Sequence, residues 1–486
     1  MSDPITPLPR TRSRNKQTES SKNCINFTLS FKSSSNFESL RCHHPRVSPS
    51  FLQEGSIVCA KEGSINKQGS MRGRKKRGRK RKTGEGLINQ LSESILIEIL
   101  SFLSTKDAVN TCVLAKSWRK LWTYVPSLSF NFDDFIPQGD LGYVEVQDYS
   151  EIFENFITSV LKFHRVSLSH GFRLVWLCDQ AIDTCLDWIP SVINLKPRVL
   201  SLKVNTSLHN LILPGCLFNC HFIEELEIKI FTSNGVLFDY ESIKLPLLKK
   251  LHLSYVRIDS YVLADLLSGC PKLEELEFEL CNLRFSELSS GTLKRLTVCD
   301  CNIKTQICFS IPSLLDLRVD YLENKVSFKG MRSLVRAFVD FNAGNSKSSN
   351  DTHSKLLRGL ANVATLDFKL NGYNLADKLI TLQHALEHCP TFNNLQTFTV
   401  AGPFIHVVHL ITRFIQHMPN LQKLIVNHDE NSSSNKFHRY GSVDCGHIPL
   451  VEIKCKKQYS DVTPLVEALR AHVKNIGEIR MVILKD

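Results

Sequence analysis

Three groupings in this 486-residue sequence invite a metal or a nucleophile: Cys216-x-x-x-Cys220-His221, Cys299-x-Cys301 and His388-Cys389. A structural zinc needs four N or S ligands, delivered as closely spaced pairs. None of these groupings shows the paired Cys-x-x-Cys spacing that makes such a site credible. The sequence also lacks a Gly-rich phosphate loop, a Gly-x-Ser-x-Gly elbow and a His-Glu-x-x-His helix. No catalytic residue, metal or cofactor is therefore expected, and the chain is read as a non-enzyme. The sixteen cysteines are read as reduced thiols packing as small hydrophobes, as in intracellular proteins.

A different chemistry lies in charges that recur at a repeat spacing. The pattern apolar-x-x-apolar-x-apolar appears as "VLSLKV", "IEELEI", "LKKLHL", "LEELEF", "LKRLTV", "LLDLRV", "LVRAFV", "VATLDF", "LQTFTV" and "LQKLIV". Their middle apolar positions, taken as 202, 226, 251, 276, 296, 317, 337, 366, 398 and 424, are 20 to 32 residues apart. Such spacing predicts leucine-rich repeats, with one short strand per repeat stacked in parallel along a curved solenoid. "VWLCD" near Val175 is expected to open the array. Inward leucines alternate with outward residues, so the position before each middle apolar residue forms a column: Glu225, Lys250, Glu275, Arg295, Asp316, Arg336. Its alternating sign predicts a self-satisfied ladder. Target contacts are expected from the next column, whose charges do not cancel in sequence: Glu227, His252, Glu277, Arg318 and Phe338, with Lys229, Glu279, Asp320 and Asp340 beside them.

The helix predicted from Glu93 to Leu103 holds seven apolar residues in eleven: Ile95, Leu96, Ile97, Ile99, Leu100, Phe102 and Leu103. A surface helix needs only three or four per two turns. Ser104 and Asp107 form a capping pattern for a second helix, and "KSWRKLW" supplies a third. Three short helices in about 40 residues are too small a unit to hide all of this internally. The stretch "LSESILIEILSFLSTKDAVNTCVLAKSWRKLWTYVPSLSF" resembles an F-box, and with the repeats the chain resembles the land-plant F-box proteins with leucine-rich repeats, over residues 87 to 430. The resemblance implies that the surplus face docks on the Skp-type adaptor of a cullin ubiquitin ligase. By position, the implied contacts are Leu91, Ser92, Ile95, Leu96, Ile99, Leu100, Leu103, Val113, Trp118 and Leu121; some of these must instead hold the helices together. The family usually has proline where this chain has Ser92, and commonly at Ser104 too. Serine keeps the capping role and loses the ring contact, which predicts weaker adaptor affinity.

Residues 1 to 86 carry 19 Lys and Arg against 6 Asp and Glu; the other 400 residues, with 41 against 42, are close to neutral. Most of the excess is Arg72, Arg74, Lys75, Lys76, Arg77, Arg79, Lys80, Arg81 and Lys82. Such a run repels itself and stays extended, and reads as a nuclear import signal, a spacer or a nucleic-acid contact. No aromatics are interleaved for base stacking, which argues against nucleic acid. No apolar run is long enough to span a membrane, and no secretory core opens the chain. The expected organisation is an α/β chain: a disordered tail (1–70), a basic tract and linker (71–86), a three-helix F-box (87–130), a helical linker (131–170), a leucine-rich-repeat solenoid with a curved parallel sheet (171–430), and C-terminal repeats or a cap (431–486). The further C-terminal module that the family often carries is matched poorly by residues 440 to 486.

The expected function is a substrate receptor of a Skp–cullin–F-box ligase in the nucleus, or the cytoplasm, with the F-box on the adaptor and the repeats on an unknown target protein. Two alternatives stay open on sequence alone. One is a nuclear nucleic-acid-binding protein using the basic tract; the other is a repeat scaffold whose F-box no longer binds the adaptor.

Overall fold

The computed structural model describes residues 87–136, 143–177, 182–205, 212–232, 236–238, 241–320, 326–341, 350–370, 389–402, 408, 411, 413–428, 448–456 and 462–484. The tail and the basic tract, with all nine of its candidate import residues, lie outside them.

The F-box segment begins with two capped helices. The Ser92 hydroxyl accepts from the Ile95 N–H at 3.4 Å to start α1 (Glu93–Ser101). Ser104 accepts from the Asp107 N–H at 3.1 Å, and its hydroxyl donates to the Asp107 carboxylate, starting α2 (Thr105–Asn110). Each cap satisfies a backbone donor that the first helical turn leaves without a partner. The expected third helix is instead a 3-10 helix over Lys116–Tyr124, with Trp118, Leu121, Trp122 and Thr123 buried. Three residues per turn put Trp118 and Leu121 on one edge.

The F-box does not end where the repeats begin; it runs into them. β1 (Ser127–Asn131) alternates half-buried serines with buried Leu128 and Phe130, and pairs in parallel with β2 (Gly171–Trp176). The connection carries α3 (Tyr143–Phe163), as a parallel crossover requires. The sheet therefore starts one strand before Val175, inside the segment expected to be F-box alone. It continues as β3 (Val199–Asn205), β4 (Glu225–Phe231), β5 (Lys250–Ser254), β6 (Glu275–Glu279), β7 (Arg295–Cys299), β8 (Asp316–Val319), β9 (Arg336–Phe341), β10 (Thr365–Leu370), β11 (Thr397–Ala401), β12 (Lys423–His428), β13 (Ile448–Lys456) and β14 (Ile476–Leu484). These form one 14-stranded parallel sheet in chain order. Its last two strands fall within 431–486.

The buried column through this sheet is Leu128, Phe172, Leu200, Leu226, Leu251, Leu276, Leu296, Leu317, Ala337, Leu366, Phe398, Leu424 and Val451. Leu200, not Leu202, stands opposite Leu226. Leu200, Leu202 and Val204 alternate at a period of two, so a slip of two residues keeps every apolar side chain inward and is invisible in the pattern.

After three successive strands the chain turns through a left-handed residue, Tyr255, Leu280 and Asp300, at φ 61°, 53° and 51°. Each is followed by a buried side chain, Val256, Cys281 and Cys301. The Cys281 thiol donates to the Leu253 carbonyl at 3.2 Å and Cys301 to the Phe278 carbonyl at 3.4 Å, tying one repeat to the one before. Cys301 thus reads as a turn thiol. Neighbouring cysteines and burial push it well above the ordinary thiol range, opposite to what a nucleophile or metal ligand needs. The back of the solenoid carries short strands and α4 (Ile182–Asn194), α5 (Ser260–Gly269), α6 (Asn350–Gly359) and α7 (Thr463–His472). One apolar core runs from Leu96 in the F-box to Val473 beside the last strand.

Candidate protein-binding surfaces

α1 has two apolar faces because its apolar residues come in adjacent pairs. Leu96 and Leu100 point into the core, at 3% and 1% exposure, while Ile95 and Ile99 on the adjoining face remain 48% and 37% exposed. Around that outer face lie Leu91, Leu103 and Val113, all exposed, with Ser92 at its start. Of the ten adaptor contacts implied by the F-box resemblance, these six are accessible. Leu96, Leu100, Trp118 and Leu121 are instead buried in the core that joins α1, the 3-10 helix and β1. Four exposed large hydrophobic residues of the segment stand outside that set, Ile88, Phe102, Leu114 and Tyr124, with Phe102 at 80% exposure. The helical period already marks Phe102, seven positions after Ile95 on the same face.

The concave sheet surface is a polar lattice. The alternating column stands in register, Glu225 beside Lys250, Lys250 beside Glu275, Glu275 beside Arg295, Arg295 beside Asp316 and Asp316 beside Arg336. Lys250 reaches Glu225 at 3.2 Å and Glu275 at 3.9 Å; Arg295 bonds Glu275, and Arg336 lies 3.0 Å from Asp316. A second alternating row runs one residue earlier, Arg198, Glu224, Lys249, Glu274 and Lys294, with contacts of 2.5, 2.9 and 2.8 Å. It was legible by the same reading shifted one place.

The neighbouring columns are expected to keep uncancelled charge, and in β3 to β6 it is partly cancelled, with Lys203 and Lys229 set against Glu227, Glu277 and Glu279. His252 lies between three carboxylates, with Nε2 3.2 Å from Glu279 and Nδ1 3.3 Å from Glu277 and 3.8 Å from Glu227. Lys229 bridges to Glu279 at 2.8 Å, across the small, buried Ser254, whose hydroxyl also donates to Glu279. Glu227 accepts from Ser201 at 2.6 Å and pairs with Lys203 at 3.1 Å. The bond from His252, helped by Lys229 against partial burial, brings the Glu279 carboxyl down to about 2. Further along, Arg318 chelates Asp320 through two nitrogens and stacks 4.4 Å over the Phe338 ring. The five expected target residues therefore divide into a Glu227–His252–Glu277 cluster and an Arg318–Phe338 pair, and Glu277 and Arg318 keep the more accessible tips.

Between β2 and β7 this face forms an open groove of about 260 Å³, with Arg173, Glu225, Glu227, His252, Glu277 and Arg295 in its walls. The His252, Glu277 and Glu279 donor atoms lie within 4.8 Å of one another, a grouping that could take a cation. The Lys229 ammonium already occupies its Glu279 corner. Accessible charge on a rigid sheet, without an activated nucleophile or enclosed cleft among the described residues, suits recognition of another macromolecule's surface.

Comparison with known proteins places the two parts of the chain in sequence families. A family profile described as the F-box domain matches residues 88–130. A second, described as the LRR repeats of FBD-associated F-box protein At5g56370, matches residues 187–335. The putative F-box/LRR-repeat protein At5g41840 of Arabidopsis thaliana is 31% identical over 387 residues, covering 70% of this chain and 68% of the relative. From the same organism, the putative F-box protein At1g58310 is 29% identical over 382 residues, 70% of this chain and 73% of its own. The F-box/FBD/LRR-repeat protein At1g78750 is 28% identical over 367 residues, 70% of this chain and 76% of its own.

Proposed function

The chain belongs to the F-box/leucine-rich-repeat family, and from that premise we propose that it is the substrate receptor of a Skp–cullin–F-box ubiquitin ligase. The observation that carries this reading is the outer face of the F-box: Ile95, Ile99, Phe102, Leu103, Val113 and Leu114 are all exposed although the helix has already filled the core with Leu96 and Leu100. So many large apolar side chains left exposed on one short folded segment mark a binding surface, and an adaptor is the partner that F-box membership supplies. The solenoid then holds the target on its concave face, with Glu277 and the Arg318–Phe338 pair as leading contacts. Such a receptor performs no chemistry. It raises the effective concentration of target lysines beside the charged ubiquitin-conjugating enzyme.

Co-expression with a Skp-type adaptor tests the first half. A complex is expected with the native chain, and it should be lost with Ile95→Asp/Ile99→Asp while the circular dichroism of the purified chain stays native. A folded double variant that still holds the adaptor sinks the reading. Proximity labelling from the Ile95→Asp/Ile99→Asp chain should collect targets without degrading them, and Glu277→Lys with Phe338→Ala should deplete that set.

The basic tract, Arg72 to Lys82, supports nuclear import on the ground that import receptors bind clustered charge on extended chain. Alanine at Arg72, Arg74, Lys75, Lys76 and Arg77 should shift a fluorescent fusion from nucleus to cytoplasm. Unchanged nuclear signal would leave the tract as a spacer.

A further inference from the structure

The two edges of the long sheet are finished differently. At the first edge the F-box covers β1: the Ser129 N–H donates to the Thr105 hydroxyl at 2.7 Å and the Ser127 hydroxyl to the Ser101 carbonyl at 3.2 Å. At the other, β14 pairs only with β13 among the described residues. β14 spans nine residues without proline, and Met481, Ile483 and Leu484 on it are exposed. Natural sheets rarely leave a long apolar edge open, because its unpaired backbone groups template another strand.

We propose that β14 is a homodimer interface, pairing antiparallel with β14 of a second copy about a two-fold axis through Ile479. The hydrogen-bond phase sets which residues meet. The Asn475 carbonyl accepts from Ile448 on β13, and successive residues of a strand direct their backbone groups to opposite sides. Ile476, Glu478, Arg480 and Val482 therefore aim theirs at the open edge. In antiparallel pairing, two such residues standing opposite exchange both bonds, which limits a two-fold register to those that match even-numbered positions.

Charge chooses among these registers. An axis through position 478 or 480 sets Glu478 against Glu478 or Arg480 against Arg480, and like charges directly opposite are destabilising. An axis through Ile479 sets Glu478 against Arg480 of the second copy, twice. Within one chain these two already form a bidentate pair at 2.5 and 2.7 Å, so the edge carries no net charge to repel its twin. The same register sets Ile476 against Val482 on the concave face. On the other face it sets Ile479 against Ile479 and Met481 against Gly477. Gly477 has no side chain because a Cβ there would meet the Pro449 carbonyl at 2.4 Å, and the Met481 thioether of the twin fills the space beside it.

The test is sedimentation equilibrium of the purified full chain. Wild type is expected to be a dimer at micromolar concentration. Glu478→Arg and Arg480→Glu should each give monomers, and the double exchange should restore the dimer. Val482→Pro removes one outward N–H without touching the bonds to β13, and should also give monomers. Oxidation should cross-link Ile479→Cys across the axis above the wild-type background but not Met481→Cys. A monomeric wild type overturns the proposal, as does a dimer indifferent to both single reversals, or an open-ended polymer, which would mean parallel head-to-tail addition.

Discussion

His164 is buried just beyond the end of α3, and burial pulls its imidazole down to about 4, against a weaker upward pull from the Val166 backbone. The folded chain thus favours the neutral ring, while the unfolded chain takes up a proton below its ordinary value of 6.5. The resulting stability is complete above that value and is lost as pH falls towards about 4, on the order of 2–3 kcal/mol. Glu279 acts in a lower window: its depressed carboxyl contributes stability above its ordinary 4.5, lost as pH falls to about 2. Urea midpoints measured against pH should therefore decline in two stages, with His164→Phe removing the upper one and Glu279→Gln the lower. A single stage unaffected by His164→Phe would disprove the assignment. In the charged column, Lys250→Glu with Glu275→Lys preserves the inner pair but sets Glu225 and Arg295 against like charges. A loss of about 0.2–1 kcal/mol per pair is expected, with target capture unchanged.

At the scale of elements, α1 serves two surfaces at once, and substitutions on its two faces should separate them. Leu96→Asp or Leu100→Asp places a carboxylate in the core and should unfold the F-box, removing roughly 1.5–3 kcal/mol of burial per leucine before the charge is counted. Adaptor loss in those variants reports folding, whereas loss in the Ile95 and Ile99 variants reports contact. Thermal melts of the purified chains distinguish the two. Ser104→Ala should lower stability by about 1 kcal/mol through loss of the α2 cap, and unchanged melting would show the cap to be dispensable. Ser92 sits at φ −68°, within the range proline enforces. Ser92→Pro is therefore expected to fold and to tighten adaptor binding by restoring an apolar ring beside Leu91.

Across the whole molecule, the F-box both presents exposed apolar residues and covers the first edge of the sheet. The Thr105 hydroxyl that receives the Ser129 N–H is the joint between them. Thr105→Val keeps the shape and removes that acceptor, so destabilisation of about 1–3 kcal/mol is expected from the stranded donor. Because β1 shares its core with α1 and the 3-10 helix, denaturation followed at Trp118 and at the repeats should then remain a single coincident transition. Separate transitions would show the F-box to be an independent unit.

The periodic pattern determined by itself that strands would stack in parallel, that Leu226 to Leu424 would share one inward column, and that Glu225, Lys250, Glu275, Arg295, Asp316 and Arg336 would stand side by side. Repeat spacing and alternation encode these relations locally, strand by strand. The F-box stretch was legible from its surplus of apolar residues and its resemblance to that motif, and the Ser92 and Ser104 caps from local residue type. Three things were decided only by tertiary structure. The inward phase of β3 depends on its neighbour, since its own alternation permits a two-residue slip. The division of α1 into core and exposed faces depends on where β1 passes, a strand whose five residues carry too little pattern to announce that it joins a sheet. Finally, Lys229 neutralises Glu279 two strands away, roughly 10 Å across the sheet, because Ser254 between them is too small to block it. A column read one neighbour at a time cannot see a side chain that reaches past its neighbour.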